Sequence, residues 1–227
     1  MCGRFTRKES FQDLAKILGF QVWHSLEPRY NIAPSQFLAC IRSHPQSNDR
    51  ECIQLKWGLV PFWAKEPSIG YKLINARAET VAEKPTFRKA FIRQRCLVLA
   101  DGFYEWKVEG KFKQPHHFHF ADNRPFAFAG LWEHWEKVPD RAVDSCAVIT
   151  TAPNDLIEPI HNRMPVILHP EDYALWLDNS MHDSQYLLSL LQPYPSQEMQ
   201  AYPVSPMVNN PLNDRPQCLH RYEVGPD

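Results

Sequence analysis

The sequence predicts an α+β fold: a strongly bent, mostly antiparallel β-sheet, barrel-like in shape, with peripheral helices. Short runs of β-branched and aromatic residues recur along the chain with turn residues between them, and short helical patterns are scattered among them. The 227 residues suit one large β-rich domain, and no repeat, low-complexity tract or long linker divides them. We therefore predict a single domain over residues 1–227.

The first part of the chain predicts one capped helix, a connector, two strands and a second short helix. Thr6-Arg7-Lys8-Glu9 has the sequence of a capping box, and apolar residues at the spacing of one helix face follow it, namely Phe11, Leu14, Ala15 and Leu18. Residues 30–34 indicate a turn-like connector. The remaining patterns predict strands at 37–41 and 53–57 and a short helix at 86–93.

The rest of the chain predicts a run of strands followed by helices. Strands are expected at 96–100, 103–108, 115–120, 126–132 and 146–151, with Glu109-Gly110 as a hairpin turn. Short helices are expected at 154–160, 170–177 and 182–191, the second opening with Pro and acidic residues.

Composition excludes several classes of protein. The charge is balanced, with 25 basic and 26 acidic residues, so any DNA contact must come from a local basic groove. We find no dinucleotide or P-loop fingerprint, no apolar signal core and no run of membrane length. There is no Cys-x-x-Cys pair, and the apolar surroundings of Cys40, Cys52, Cys96 and Cys146 predict buried thiols in a reducing compartment. These features predict a cytoplasmic protein that is not bound to a membrane.

The chain begins Met1-Cys2, and removal of Met1 would expose an amine and a thiol on adjacent carbons. Methionine aminopeptidases remove Met1 when the next side chain is small, as that of Cys2 is. A free α-amine has a pKa near ~8 and a thiol near ~8.5, so both nucleophiles are partly available at neutral pH. Such a 1,2-aminothiol adds to an aldehyde as an imine and then closes to a five-membered thiazolidine.

Several polar and aromatic motifs carry a resemblance to a known family. They begin with Cys2-Gly3-Arg4-Phe5 and Asn31-Ile32-Ala33-Pro34 and continue with residues 57–63, 74–80, 101–106 and 160–165. In this order they resemble the SRAP family (SOS-response-associated peptidase domain), and the match extends to Val208-Asn209. The resemblance implies a protein that crosslinks through Cys2 to abasic sites in single-stranded DNA, shields the lesion in the DNA damage response, and acts as a monomer, at single-strand/double-strand junctions included.

The resemblance also implies the catalytic residues. Glu105, on a predicted strand among aromatics, would be the acid/base group that opens the sugar and dehydrates the carbinolamine. His161 would be a second acid/base group near the sugar oxygen that acts in reversal. Asn75 would position the sugar and the amine, and no cofactor is implied.

The same resemblance implies a set of DNA contacts. Arg77 and Arg163 match phosphate-binding positions, Arg4 is a third candidate beside the nucleophile, and Thr150 aligns near the site. Pro34 and Trp63 match loop positions that lie against the end of the neighbouring base stack. The family often has a second aromatic directly after the Trp63 position, whereas this chain has Ala64.

Three alternatives follow from the same residues. His117 and His119 share a face of a predicted strand, but no acidic or Cys partner has matching spacing, so we expect a polar strand face and no metal site. Cys2, His161 and Glu105 could instead serve a thiol hydrolase or a self-processing peptidase. A non-covalent reader of modified DNA would need Arg77 and Trp63 but no terminal Cys.

Overall fold

The computed structural model describes residues 2–8, 26–44, 47, 49–110 and 112–222. Its strands are β1 (Phe5–Arg7), β2 (Arg29–Ile32), β3 (Phe37–Ser43), β4 (Arg50–Trp57), β5 (Asn75–Arg77), β6 (Arg95–Ala100), β7 (Gly102–Glu109), β8 (Phe112–Phe120), β9 (Phe126–Trp135), β10 (Val143–Thr151), β11 (Met164–Pro165) and β12 (Met199–Pro203). The α-helices are α1 (Arg88–Arg93), α2 (Tyr173–Leu177) and α3 (Ser184–Ser189), and short 3₁₀ turns include Pro67–Lys72, Ala78–Thr80 and Pro206–Asn209.

Five of the strands close into a barrel. Their order is β10-β4-β3-β6-β9, and pairing of β9 with β10 joins the two ends. The β4–β10 pair is parallel, whereas β3–β4, β3–β6, β6–β9 and β9–β10 are antiparallel. Strand β5 adds to β10 in parallel and β11 adds to it antiparallel. The short strand β5 therefore lies beside the end of β10, outside the ring.

A second, antiparallel sheet has the order β12-β8-β7-β1-β2. Strand β1 lies between β2 and β7, with Phe5 opposite both Ile32 and Phe103. The N-terminal segment is therefore part of a sheet, and its first residues are fixed by pairing on both sides.

One apolar core lies between the barrel and this sheet and anchors the N-terminus. Phe5 is 1% exposed, and its ring packs edge-on against Trp57 (5.2 Å between centroids) and Phe128 (5.6 Å). Burying one such side chain contributes roughly 2 kcal/mol. A second core, on the opposite face of the barrel strands, is covered by α2 and α3 through Trp176 and Leu187.

The predicted fold class is confirmed, and all seven predicted strands lie within observed ones. Several other predicted elements differ. Residues 30–34 were expected to form a connector, yet 30–32 belong to β2, because pairing with β1 completes the sheet edge. Residues 154–160 form hydrogen-bonded turns and not a helix, with Ile157 O accepting from both Ile160 N and His161 N.

The prediction of a capping box near the N-terminus is also wrong. Thr6 and Arg7 belong to β1, and the Thr6 hydroxyl donates to Asp101 Oδ1 (2.6 Å) instead of capping a helix. The helix expected after it lies outside the described residues. The helix expected at 182–191 is shorter, because α3 begins after Asp183, which accepts hydrogen bonds from the first helical N–H groups.

The thiols follow the sequence pattern with one exception. Cys40, Cys96 and Cys146 are buried, as predicted, but Cys52 on β4 is partly exposed. Among the helices that the structure describes, none is long and apolar enough to cross a membrane.

Candidate functional site

Cys2 lies three residues before the start of β1 and is fully buried. Asn75 Nδ2 donates to Cys2 O (2.9 Å), which ties the terminus to β5, and Tyr104 N donates to Arg4 O (3.0 Å), which ties it to β7. The Cys2 thiol contacts Arg4 O at 3.8 Å. Burial, and secondarily the charge of Glu105, raises the pKa of this thiol far above its usual value, so the sulfur is held as a neutral thiol.

Glu105 presents a desolvated carboxyl group from β7. Its neighbour Tyr104 points to the opposite side of the strand, where its hydroxyl donates to Tyr30 O (2.7 Å). Glu105 is 2% exposed, and burial raises its pKa to about 7. Its Oε1 atom, like Asn75 Oδ1, is buried without a hydrogen-bond partner. Two acceptor oxygens beside Cys2 are therefore available to a new donor.

His161 follows the turns at 154–160 and faces Glu105. Its Nε2 atom lies 3.8 Å from Glu105 Oε2. The Arg163 N–H donates to Nδ1 (3.1 Å), and Arg163 O lies 3.0 Å from the same nitrogen. Burial lowers the pKa of His161, which favours the neutral ring at pH 7. When Nδ1 accepts from Arg163, the ring proton resides on Nε2, the nitrogen nearest Glu105.

Glu105 and His161 open onto a cleft of about 440 Å³ that Arg4, Trp106, Lys113 and Asn209 also line. The cleft brings together the residue before β1, residues of the β7–β8 hairpin, and the 3₁₀ turn Pro206–Asn209. A carboxylic acid and an imidazole thus face one accessible space, and the buried Cys2 lies two residues from Arg4 in its wall.

Arg4 is one wall of this cleft, and its guanidinium holds the C-terminal segment. Nη1 donates to Asn31 Oδ1 (2.9 Å) and Val208 O (2.6 Å), and Nη2 donates to Asn209 O (3.4 Å). The group also lies over the Trp106 ring at 5.8 Å from the centroid. Arg4 lies beside Cys2, as the sequence suggested, but its strongest contacts are within the protein.

The other predicted phosphate ligands meet along β5 and β10. Arg77 is exposed and lies opposite Thr150 in the strand register, two residues from Asn75 and on the same face. Arg163 makes a two-pronged ion pair with Glu79 (2.5 and 3.0 Å) and donates to Thr150 O (2.5 Å). This pairing lowers the pKa of Glu79.

Comparison with known proteins now decides the family. The family model described as SOS response associated peptidase (SRAP) matches residues 1–211. The chain belongs to the SRAP family. The abasic site processing protein YoqW of Bacillus subtilis (strain 168) is 45% identical over 226 residues, which cover 98% of this chain and 100% of YoqW.

More distant SRAP relatives extend the match. The abasic site processing protein HMCES of Gallus gallus is 32% identical over 230 residues, covering 87% of this chain and 67% of HMCES. A crystal structure of a protein from Bacteroides thetaiotaomicron aligns with a TM-score of 0.85 at 28% identity, covering 97% of this chain and 100% of that one.

The loop that carries Trp63 exposes two aromatic side chains. Trp63 is 44% exposed, whereas Ala64 is buried and its carbonyl accepts from Trp135 Nε1 (2.8 Å). The exposed second aromatic is Phe62, which precedes Trp63 and carries the Lys89 ammonium 3.9 Å from its ring centroid. Pro34 lies in the turn after β2, next to Ser35, whose N–H donates to Trp57 O (2.8 Å).

The two candidate metal-binding histidines are not on a polar surface. His117 is 1% exposed beneath Gly102, where a Cβ atom would clash with the ring, and its Nε2 lies 3.3 Å from Thr6 Oγ1. His119 is also buried, and burial lowers the pKa of both rings. Within the described ranges, no group of three or more His, Cys, Asp or Glu residues could hold a metal ion.

Sequence reasoning missed the residues that support this SRAP site. Asn31 is fully buried, and its Nδ2 reaches Val208 O, Asn210 O and Asn213 O at 2.8–3.1 Å. Trp106 Nε1 donates to Asn209 Oδ1 (2.7 Å). Both belong to the conspicuous motifs at 31–34 and 101–106, but their partners lie more than 100 residues away in sequence, so no local pattern predicts the contacts.

Proposed function

We propose that this chain processes abasic sites in DNA by crosslinking to them through Cys2 after removal of Met1. The nucleophiles would be the new α-amine and the Cys2 thiol, and the electrophile would be the ring-opened aldehyde of an abasic site in single-stranded DNA. The product would be a thiazolidine that shields the lesion. Its YoqW and HMCES relatives are named abasic site processing proteins.

The observation that carries this proposal is the fixed position of Cys2 between Asn75 and Glu105. Asn75 anchors the Cys2 carbonyl, and two buried acceptors, Asn75 Oδ1 and Glu105 Oε1, have no hydrogen-bond partner. An α-amine on Cys2 supplies the donors that such acceptors require. The two acceptors thus suit a reactive α-amine on Cys2. A strand with only a structural role would not need such acceptors at its N-terminus.

The first stage forms an imine. Glu105 and His161 supply the base and the acid that open the sugar hemiacetal to the aldehyde. The Cys2 amine then adds to the aldehyde carbon and gives a carbinolamine. Glu105, with a pKa of about 7, is partly protonated at neutral pH and donates its proton to the carbinolamine hydroxyl. Water leaves, and a protonated imine and the Glu105 carboxylate remain.

The second stage closes the ring. The Glu105 carboxylate removes the Cys2 thiol proton, and the sulfur adds to the imine carbon. The nitrogen keeps its proton as a secondary amine, and Glu105 is returned to its acid form. One water is lost overall. Because burial raises the pKa of the thiol, the amine is the first nucleophile. The thiol adds afterwards, to the more electrophilic protonated imine.

The DNA would be held by its phosphates and bases on either side of the lesion. Arg77 is exposed beside Asn75, Arg163 and Thr150 adjoin it, and Arg4 lines the cleft. Trp63 and Pro34 would lie against the end of the neighbouring base stack. We further propose that the protein is a cytoplasmic monomer with a single domain over residues 1–227. It would act on DNA without reading the base sequence.

A thiol hydrolase is supported less well by the same geometry. A Cys protease needs a thiolate paired with its base, whereas the Cys2 thiol contacts Arg4 O and its pKa is raised. His161 Nε2 faces Glu105. A non-covalent reader would give no reason for the buried terminal thiol beside two unpaired acceptors.

A denaturing gel of purified protein mixed with abasic single-stranded DNA tests the proposal. Wild type should give a stable shifted band. Cys2→Ser should give a band only after borohydride trapping, because it can form the imine but no thiazolidine, whereas Cys2→Ala tests the amine alone. A variant with one residue inserted before Cys2 and retained in the mature chain should give no thiazolidine. Stable crosslinking by that variant would rule out the aminothiol.

A further inference from the structure

A surface of exposed aromatic rings and lysines adjoins the candidate site on the Trp63 side. It consists of Phe37, Lys56, Trp63, Tyr71 and Lys72, and we refer to it as the aromatic–lysine surface. Phe37 is 60% exposed, Trp63 44% and Tyr71 66%. Large exposed apolar surfaces on proteins mark sites of interaction with a partner.

Backbone packing fixes the Tyr71 end of this surface. Gly58 has a φ of +131°, and a Cβ atom there would lie 2.6 Å from Gly70 O. The end of β4 and the 3₁₀ turn Pro67–Lys72 can approach this closely only because both Gly58 and Gly70 lack a side chain. The approach places Tyr71 beside β4, and the Lys56 ammonium lies 5.8 Å from the Tyr71 ring centroid.

The other members continue from Lys56 in both directions. Phe37 lies directly opposite Lys56 in the β3–β4 register, so the two side chains share a face of the sheet. On the far side, Trp63 and Lys72 line one cleft of about 330 Å³ together with Lys65 and Glu66. The surface and this cleft carry three lysines against one glutamate, a positive balance in a chain whose formal net charge is −1.

The surface is continuous with the site already described. Lys72 precedes Asn75 by three residues, a span of at most about 11 Å even for extended chain. Trp57 Nε1 donates to Ile74 O (2.9 Å) and Leu59 N donates to Leu73 O (3.0 Å), so this connection is held against β4. A DNA strand bound at Asn75 therefore has this surface in reach on one of its two flanks.

We propose that the aromatic–lysine surface binds unpaired nucleotides that flank the lesion on one side, with bases stacked on Tyr71 and Phe37 and phosphates near Lys56 and Lys72. The inference rests on the proposed function and extends it from the lesion to the strand beyond it. Alternating rings and cations suit single-stranded DNA because every base has a stacking face and every linkage a charge. A duplex hides its base faces and would leave Tyr71 and Phe37 unused.

The test compares oligodeoxynucleotides that carry one abasic site and either a long 5′ flank, a long 3′ flank or single nucleotides on both sides. Wild type should crosslink one of the long-flanked substrates at a lower concentration than the short one. Tyr71→Ala and the double variant Phe37→Ala/Tyr71→Ala should remove that gain, roughly tenfold in half-saturating concentration. The short substrate should react as in wild type. Tyr186→Ala, which removes an exposed ring on α3, is the matched control.

Binding of undamaged oligo-dT, followed by fluorescence anisotropy, separates this inference from the chemistry. Tyr71→Ala and Lys72→Glu should weaken oligo-dT binding, whereas Tyr186→Ala and Lys137→Glu should not. If wild type fails to crosslink but this pattern holds, the proposed chemistry is wrong and the surface assignment stands. Equal crosslinking of all flank lengths by wild type and Tyr71→Ala, or a flank effect that appears only when the flank is duplex, would overturn the inference.

Discussion

Glu105 is almost fully buried, whereas most glutamates in proteins are exposed to solvent. It is 2% exposed on β7, and burial raises its pKa to about 7, close to the pH at which a proton must move both ways. His161 faces it with a neutral ring whose second nitrogen is oriented by the Arg163 backbone. Two groups with different proton affinities therefore meet at one space, which is the arrangement that acid–base chemistry requires.

Glu105→Gln preserves the shape of this side chain but removes its proton transfer. We expect crosslinking to slow by ~10²-fold, the low end for loss of one acid/base group. The rate is measured by quenched-flow or manual sampling onto denaturing gels. Adduct formation at the wild-type rate would show that Glu105 takes no part in dehydration.

The same substitution should stabilise the fold at alkaline pH. The folded protein keeps the Glu105 proton up to about pH 7, whereas an ordinary glutamate loses it near 4.5, so the folded state binds more protons between these values. The contribution of Glu105 to the free energy of unfolding therefore falls by up to about 3 kcal/mol as the pH rises through that window. Urea unfolding should show Glu105→Gln gaining more over wild type at pH 8 than at pH 5. A gain independent of pH would contradict the raised pKa.

His161→Ala should affect reversal at least as strongly as formation, because His161 lies next to Arg163 on the side assigned to the sugar and its phosphate. The adduct is formed with labelled DNA, excess unlabelled abasic DNA is added as a trap, and loss of the labelled adduct is followed. Slower release than wild type is the expected result. Faster release would show that His161 protects the adduct and does not reverse it.

At the scale of elements, the C-terminal segment is a wall of the cleft that the N-terminal strands hold in place. Asn31 and Arg4 together contact the carbonyls of Val208, Asn209 and Asn210, and Asp214 accepts from the N–H groups of Tyr30 and Asn31. Strand β2 exists in its observed form because these contacts and β1 satisfy its polar groups.

Arg4→Lys tests whether Arg4 positions this wall or binds phosphate. Lysine keeps the charge but cannot reproduce the fork to Asn31 and Val208. We expect roughly tenfold slower crosslinking and faster proteolysis within residues 206–214, with the salt dependence of DNA binding unchanged. Weaker binding of undamaged single-stranded DNA with unaltered proteolysis would assign Arg4 to phosphate binding instead.

The elements also show where sequence patterns succeed. Strands rich in Val, Ile, Phe and Leu, such as β6 and β9, were predictable because burial on both faces leaves continuous apolar runs. Strand β2 and the wrong capping box were not, because Asn31 and Thr6 find partners as far away in sequence as Asp214 and Asp101. The parallel pairing of β4 with β10 in the barrel and the support of the cleft by Asn209 are likewise long-range. The reacting residues were assigned from the motif resemblance. The 3.8 Å distance between His161 Nε2 and Glu105 Oε2 could be learned only from the folded structure.

At the scale of the whole molecule, the two sheets each bring residues to the site around Cys2. The barrel supplies Asn75 and Arg77 through β5, and the second sheet supplies Cys2 and Glu105 through β1 and β7. The formal net charge of −1 means that attraction to DNA comes from local groups and not from the overall field.

Binding to undamaged single-stranded DNA should therefore be modest, nearly independent of sequence and sensitive to salt. Each phosphate contact contributes about −0.7 to the log–log salt slope for single strands. Arg77→Glu should weaken binding to all sequences alike and reduce the slope by about that amount, whereas Arg141→Glu, at another exposed position, should not. A change in base preference on substitution of Arg77 would contradict its phosphate role.

Intact-mass spectrometry of the protein before and after reaction with an abasic oligodeoxynucleotide tests the central claim most directly. The free protein should lack Met1, and the adduct should equal the mature chain plus the oligonucleotide minus one water. Borohydride should leave that mass unchanged, because a thiazolidine, unlike an imine, has no double bond that takes up two hydrogens. Adduct formation by protein that retains Met1, or a wild-type adduct that gains two hydrogens on reduction, would contradict the aminothiol mechanism.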